Sequence, residues 1–166
     1  MKRKIVILTA ALLLCGCGST SGTVTDSKPA ENTSQTEQTS SHTAAEIFDM
    51  LSSSGKADVL DERADFGSDD FTSACPKLYG VAADSLTDGG IMFVSSGQQS
   101  DEVSILKGAD ISVLKDRAET RAKDFEGYAP EESEKAKNAE IFRCGDFAVM
   151  IISDNAAELK KLITEY

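Results

Sequence analysis

From Thr43 onward the apolar residues recur in two different periods, and the changes of period mark the elements. Thr43-Ala44-Ala45-Glu46 is a capping box, and Ile47, Met50 and Leu51 follow on one face with Phe48 beside them, which predicts a helix ending near Ser53 to Gly55. Residues 58–71 carry Asp58, Asp61, Glu62, Asp65, Asp69 and Asp70 with neither period, and read as solvated turns and short helices. Leu78-Tyr79-Gly80-Val81 leads through Asp88-Gly89-Gly90 into Ile91-Met92-Phe93-Val94, a short apolar run that predicts a buried strand. Beyond the polar loop 95–101, Val103 and Ile105 alternate within 102–107, so this second strand pairs with the first as an antiparallel hairpin. Asp110 then caps the clearest helix, with Ile111, Leu114, Ala118, Ala122 and Phe125 on its apolar face and Lys115, Asp116, Glu119 and Lys123 facing water. Gly127 and Pro130 stop it, and Pro130-Glu131-Glu132 opens a short helical turn.

Two more strands follow, around Ile141-Phe142-Arg143 and over 147–152, joined by a tight bend at Gly145-Asp146. Asp154 caps a last helix in which Leu159, Leu162, Ile163 and Tyr166 share a face. This order predicts one α+β domain over residues 43–166, a mostly antiparallel four-stranded sheet with helices packed on one face. Its 124 residues suffice for a real core, since a domain of this size buries roughly two-thirds of its unfolded surface.

The first 42 residues follow a different rule. Lys2, Arg3 and Lys4 precede an uninterrupted apolar-rich run over 5–14, the outline of a secretory signal. At about 1.5 Å per residue this run spans about half of a hydrocarbon core, too short for a permanent transmembrane helix. Leu14-Cys15-Gly16-Cys17-Gly18 comes next and resembles the bacterial lipoprotein box: an aliphatic residue three positions before a cysteine and a tiny residue just before it. The resemblance implies a signal peptide over 1–16, cleavage after Gly16, and Cys17 as the thiol that carries lipid. Cys15 is the competing choice, but it would put the bulky Leu14 at the cleavage position. Two acyl chains anchor durably, because each buried CH₂ contributes about 0.8 kcal/mol and one chain alone binds only marginally. Residues 17–42 then form a Ser/Thr-rich linker with twelve Ser or Thr, no aromatic and Val24 as the single branched aliphatic. Such a segment cannot bury enough apolar surface to offset its chain entropy, and as a flexible coil it would reach about 25 to 30 Å.

Charge narrows the partners. The chain has 28 acidic and 17 basic side chains, and losing the three basic residues of the signal leaves 14 basic ones. Nucleic-acid binding and a polybasic grip on anionic lipid are both disfavoured, since each needs clustered Lys and Arg. His42 is the single histidine and lies at the end of the linker, so the folded domain cannot assemble a Ser-His-Asp or Cys-His nucleophile, nor zinc on histidine ligands. The acidic stretch lacks the alternating oxygen ligands, sixth-position glycine and twelfth-position glutamate of a calcium loop. No metal and no cofactor is expected. Cys75 and Cys144 are candidates for a disulfide, which outside the membrane would close a loop of about 70 residues. A core of this size does not need such a staple, which favours two separate buried thiols. Tyr128, in Phe125-Glu126-Gly127-Tyr128-Ala129-Pro130, is a candidate partner epitope, against the alternative that it folds back on its own helix.

The segment from Thr43 to the last helix resembles a family of small bacterial surface lipoproteins, mostly from Gram-positive anaerobes, known as domain of unknown function 4358. The residues that carry the resemblance are Ala45-Glu46-Ile47-Phe48, Leu78-Tyr79-Gly80-Val81, the run from Asp101 to Lys107, the run from Phe125 to Glu132, and Cys144-Gly145-Asp146-Phe147 with Ser153-Asp154. It implies a location and a domain type but no activity. The expectation is a lipid-anchored, non-enzymatic binding or accessory module on the outer face of the cytoplasmic membrane, with a protein or cell-envelope partner. The alternatives are a cell-envelope hydrolase using paired carboxylates, and a small-solute receptor.

Overall fold

In the computed structural model, which describes residues 42–166, strand β5 (Phe147–Ile152) explains the architecture. All six of its residues are buried, so both faces of the sheet must be covered. Phe147, Val149 and Ile151 point into one apolar cluster, with Ile47, Phe48 and Leu51 of α1 (Ala44–Ser53) and Leu159 and Ile163 of α5 (Ala156–Glu165). Ala148, Met150 and Ile152 point into a second cluster. There they meet Phe71 and Cys75 of α2 (Asp69–Leu78), Leu114, Ala118 and Ala122 of α3 (Ser112–Phe125), and Ala136 of α4 (Pro130–Lys137).

The sheet is antiparallel throughout, in the order β1-β2-β3-β5-β4, with β1 at Glu62–Asp65, β2 at Asp88–Phe93, β3 at Glu102–Lys107 and β4 at Glu140–Cys144. The α+β class, the β2–β3 hairpin and the two-residue bend at Gly145-Asp146 are as the sequence predicts, Gly145 taking φ +54°. A capping box starts α1, where Glu46 N–H donates to Thr43 Oγ1 and the Glu46 carboxylate accepts from the Thr43 amide.

Three expectations are corrected. The helices lie on both faces, not one, because β5 is apolar on both sides and both faces of β3 are buried. There are five strands, not four: β1 is built from Glu62-Arg63-Ala64-Asp65, whose side chains carry no apolar pattern. Arg63 holds this edge in place, donating to Asp65 and Asp49 at 2.6 Å and to the Ala45 carbonyl at 3.1 Å, and lying over the Phe48 ring. The helix ends also differ. Asp110 does hold the start of α3, accepting from the Ser112 amide at 2.8 Å, but Gly127 stays out of the left-handed region, and Asn155 precedes α5 while Asp154 lies 3.4 Å from Lys135. Helix α2, started by Ser68 Oγ accepting from Phe71 N–H, begins at the end of the stretch read as solvated turns and short helices, runs on to Leu78, and contains Pro76 on its exposed side.

Two aromatic rings, one from each face, reach the sheet at the Gly89-Gly90 pair of β2. A Cβ on Gly89 would sit 2.9 Å from the Ile105 carbonyl oxygen and 3.0 Å from Phe71 Cζ, and one on Gly90 would overlap the Phe48 ring. Both rings are fully buried and have nowhere to retreat. Gly90→Ala should therefore lower stability by about 1–3 kcal/mol, read as a reduced urea midpoint at unchanged slope.

Candidate functional site

Strand β3 brings charge into the interior. Glu102 and Ser104 share the face of Leu106, so they project into the α2–α3 cluster and not into solvent. Glu102 is 1% exposed, and its carboxylate is gripped by Arg117 of α3, itself 8% exposed, through Nε at 3.0 and 3.1 Å and through Nη2. The Tyr79 hydroxyl donates to Glu102 at 2.9 Å and is 2.7 Å from Ser104 Oγ. Burial, followed by the neighbouring Glu102 charge, holds the Tyr79 phenol well above its ordinary pKa, so it stays a donor. One carboxylate thus ties α2, β3 and α3 together.

A second group lies beside the first. Lys135 Nζ of α4 stands 2.8 Å from Asp101, 3.1 Å from Glu132 and 3.4 Å from Asp154. Burial would lower the Lys135 pKa, and the Asp101 and Glu132 carboxylates more than reverse it. Glu132 also accepts from the Ser100 amide at 2.7 Å and the Ser100 hydroxyl at 3.0 Å, while the Ser100 hydroxyl approaches the Glu132 carbonyl. Arg121 completes the fastening of this loop, donating to the Gln99 carbonyl at 3.0 Å and the Ser100 carbonyl at 3.4 Å.

Above Glu102 the surface opens into a cavity of about 360 Å³. Its apolar wall is Leu78, Phe93 and Val94, and its polar wall is Glu102, Arg117 and Arg121. Gly97, on the rim, offers its carbonyl to the Tyr128 hydroxyl at 3.5 Å. A neighbouring cavity of about 370 Å³ shares Leu78 and Phe93 and runs between α2 and β1.

The residues singled out in the sequence do not converge here. Cys17 and the whole signal and linker up to residue 41 lie outside the described residues. Cys75 is buried in the α2–α3 cluster, and burial pushes its thiol up to about 11. Cys144 sits against the α1–α5 cluster on the opposite face, 3.7 Å from the Ile163 carbonyl. Both are free thiols, so the Cys75–Cys144 bridge is absent, the sheet standing between them. Tyr128 is 64% exposed and leans on Phe125 of its own helix, with ring centroids 5.3 Å apart. His42 stacks on Tyr166 and lies 3.8 Å from Glu46. Among the described residues no three His, Cys, Asp or Glu side chains are grouped to hold a metal ion, and no helix is long and apolar enough to cross a membrane.

Sequence reasoning missed Glu102, Arg117, Arg121 and Lys135. The available signal was the spacing of Arg117 and Arg121, one turn apart beside the apolar stripe of Ala118 and Ala122, opposite a strand that starts at Glu102 with Asp101 just before it. Breaking the central pair leaves a buried charge without its counter-ion. Glu102→Gln should cost about 3–5 kcal/mol in chemical unfolding, and adding Arg117→Met should recover part of that loss.

The loop fastening responds to pH. Burial would raise the Glu132 pKa, but the Ser100 amide, Lys135 and the Ser100 hydroxyl outweigh it, and the folded value lies below the usual carboxylate range. A depressed folded pKa gives stability that is present above the unfolded value and lost as pH falls through the folded one. The unfolding midpoint should therefore drop below about pH 4.3, and Glu132→Gln should flatten that part of the profile.

A family model described as "Domain of unknown function (DUF4358)" matches residues 68–153, a span running from the residue that caps α2 to the turn before α5. It takes in the cavity and, apart from Asp154, both charged groups, and omits α1, β1 and α5. No curated protein and no solved structure matches the chain.

Proposed function

The chain belongs to the family described as a domain of unknown function, DUF4358, and from that premise we propose that it is a lipid-anchored, extracytoplasmic binding module. The observation that carries the reading is Leu14-Cys15-Gly16-Cys17, a lipid-attachment sequence directly behind a short apolar run with a cationic start. The linker that follows is rich in Ser and Thr and suits a tether.

The interior chemistry supports binding over catalysis. Paired-carboxylate hydrolysis needs one acid and one base facing each other across a cleft, roughly 5 to 10 Å apart. The carboxylates that converge here, Asp101, Glu132 and Asp154, converge on the Lys135 ammonium. Glu102, the carboxylate that borders the cavity of about 360 Å³, is taken up by Arg117, Tyr79 and Ser104. Carboxylates paired in this way hold a surface in shape and do not face one another across an open cleft.

Anchoring has a direct test. Cys17→Ser, or treatment of cells with globomycin, should move the protein from the membrane fraction to the soluble fraction or leave an unprocessed precursor. The mature native chain should begin at Cys17 and carry acyl mass there. Fatty-acyl label still incorporated by Cys17→Ser, or a mature product beginning upstream of Cys17, removes the proposal.

A further inference from the structure

The cavity between α2 and α3 has a polarity unlike the rest of the chain. The chain carries a formal net charge of −11, yet two of the three ionised side chains on the cavity wall are the guanidinium groups of Arg117 and Arg121. Being four residues apart on α3, they stand on one face of the helix with Cβ atoms about 5–6 Å apart. Glu102 neutralises the first. The second has no carboxylate within 4 Å among the described residues, and its Nε and Nη2 donate to two main-chain carbonyls.

Each guanidinium keeps donors in reserve. All hydrogen bonds from Arg117 leave through Nε and Nη2, and the same is true of Arg121, so neither Nη1 is engaged among the described residues. Nor is either nitrogen sealed in protein, since among the described residues every buried side-chain nitrogen or oxygen has a hydrogen-bond partner. Two solvent-accessible, unengaged guanidinium nitrogens therefore belong to residues lining one cavity. Opposite them stand the half-buried side chains of Leu78 and Phe93, with Val94 behind.

We propose that this cavity is a binding site for a small amphipathic carboxylate, whose anionic end takes the free Nη1 donors of Arg121 and Arg117 and whose apolar body lies on Leu78 and Phe93. The proposal rests on the reading of the domain as a binding module and names the ligand class. A planar guanidinium matches a carboxylate with two parallel hydrogen bonds, and a pair of them fixes the orientation of the acid. The volume falls within the roughly 300–1,000 Å³ of small-molecule sites, and the apolar wall with a few convergent polar groups is their usual lining. The Glu102 carboxylate contributes by holding Arg117 rigid, so that no side-chain ordering remains to be done when the ligand arrives. Tyr128 acts at the rim, where its hydroxyl holds the Gly97 carbonyl of the loop that borders the opening.

The test uses the full chain with 4-phenylbutyrate as probe and 4-phenylbutan-1-ol as its uncharged counterpart, followed by ligand-observed NMR and by backbone amide shifts. Phenylbutyrate should bind with a dissociation constant below about 1 mM, and the alcohol at least about tenfold more weakly. The amides that move should cluster at Leu78, Val94, Gly97 and Arg121. Arg121→Gln should weaken the acid about tenfold and leave the alcohol unchanged, with Arg121→Lys in between. Equal binding of acid and alcohol overturns the proposal, and so does the absence of binding or a set of shifts elsewhere on the domain. The acid–alcohol comparison is made on the unaltered chain, so the outcome stands even if Arg121→Gln loosens its loop. A chain that fractionates with membranes but discriminates nothing here refutes the ligand and leaves the anchor intact.

Discussion

Burial of Glu102 beneath Arg117 is the constraint on which the sheet depends. In a sheet with one wet face, alternation of polar and apolar residues fixes strand register, because a slip of one residue turns every side chain over. Here that rule has little force: β5 is Phe-Ala-Val-Met-Ile-Ile with both faces buried, and its side chains would find an apolar environment in either orientation. Strand β3 removes the ambiguity. Val103 and Ile105 fit the α1–α5 side, and Glu102 fits only where Arg117, Tyr79 and Ser104 can meet it. A one-residue slip would turn a carboxylate toward the apolar cluster of Leu51, Leu159 and Ile163, away from Arg117. A buried ion pair contributes little net stability against an apolar replacement, and we assign it here the role of selecting one register.

The same doubly buried sheet decides what could be read from the sequence. The clean elements were legible: the Thr43–Glu46 capping box, the hairpin bend at Gly145-Asp146, and the α3 stripe of Leu114, Ala118, Ala122 and Phe125 all follow from local chemistry. The side of the sheet on which each helix lies was not, because an apolar run such as 147–152 gives no face its preference. Strand β1 was invisible for a different reason. Three of its four residues are charged, and what makes it a strand is Arg63 reaching to α1, a contact between positions 14 and 18 residues apart. Helix α2 carries Pro76 and a polar first half, and its apolar residues Phe71 and Cys75 make a stripe too short to outweigh that composition without the sheet beneath them.

The candidate site was legible only as spacing. Charged residues on an amphipathic helix normally read as its wet face, and Lys115, Asp116, Glu119 and Lys123 bear that out. Arg117 and Arg121 lie on the border between the two faces, where a long side chain can turn either outward or along the apolar stripe. Their course is set by tertiary partners, Glu102 for one and the Gln99 and Ser100 carbonyls for the other, which lie 15 to 22 residues away in the chain. Loop 95–101, polar and unremarkable in sequence, is thereby fastened at both ends: Asp61 accepts from the Ser95 amide at 2.7 Å, and Glu132 and Arg121 hold Ser100.

A positive pocket in a negative chain has a kinetic meaning as well as a structural one. Exposed charges are screened beyond about 8 Å at physiological ionic strength, so an approaching anion first meets a surface dominated by carboxylates and is not drawn in from a distance. Only within contact range do two guanidinium groups outweigh one neutralised glutamate. Discrimination at such a site therefore arises from fit and hydrogen-bond geometry, and the long-range field works against promiscuous capture of polyanions. On the proposed reading as a tethered binding module, that combination would let the domain select a small amphipathic acid over larger polyanions.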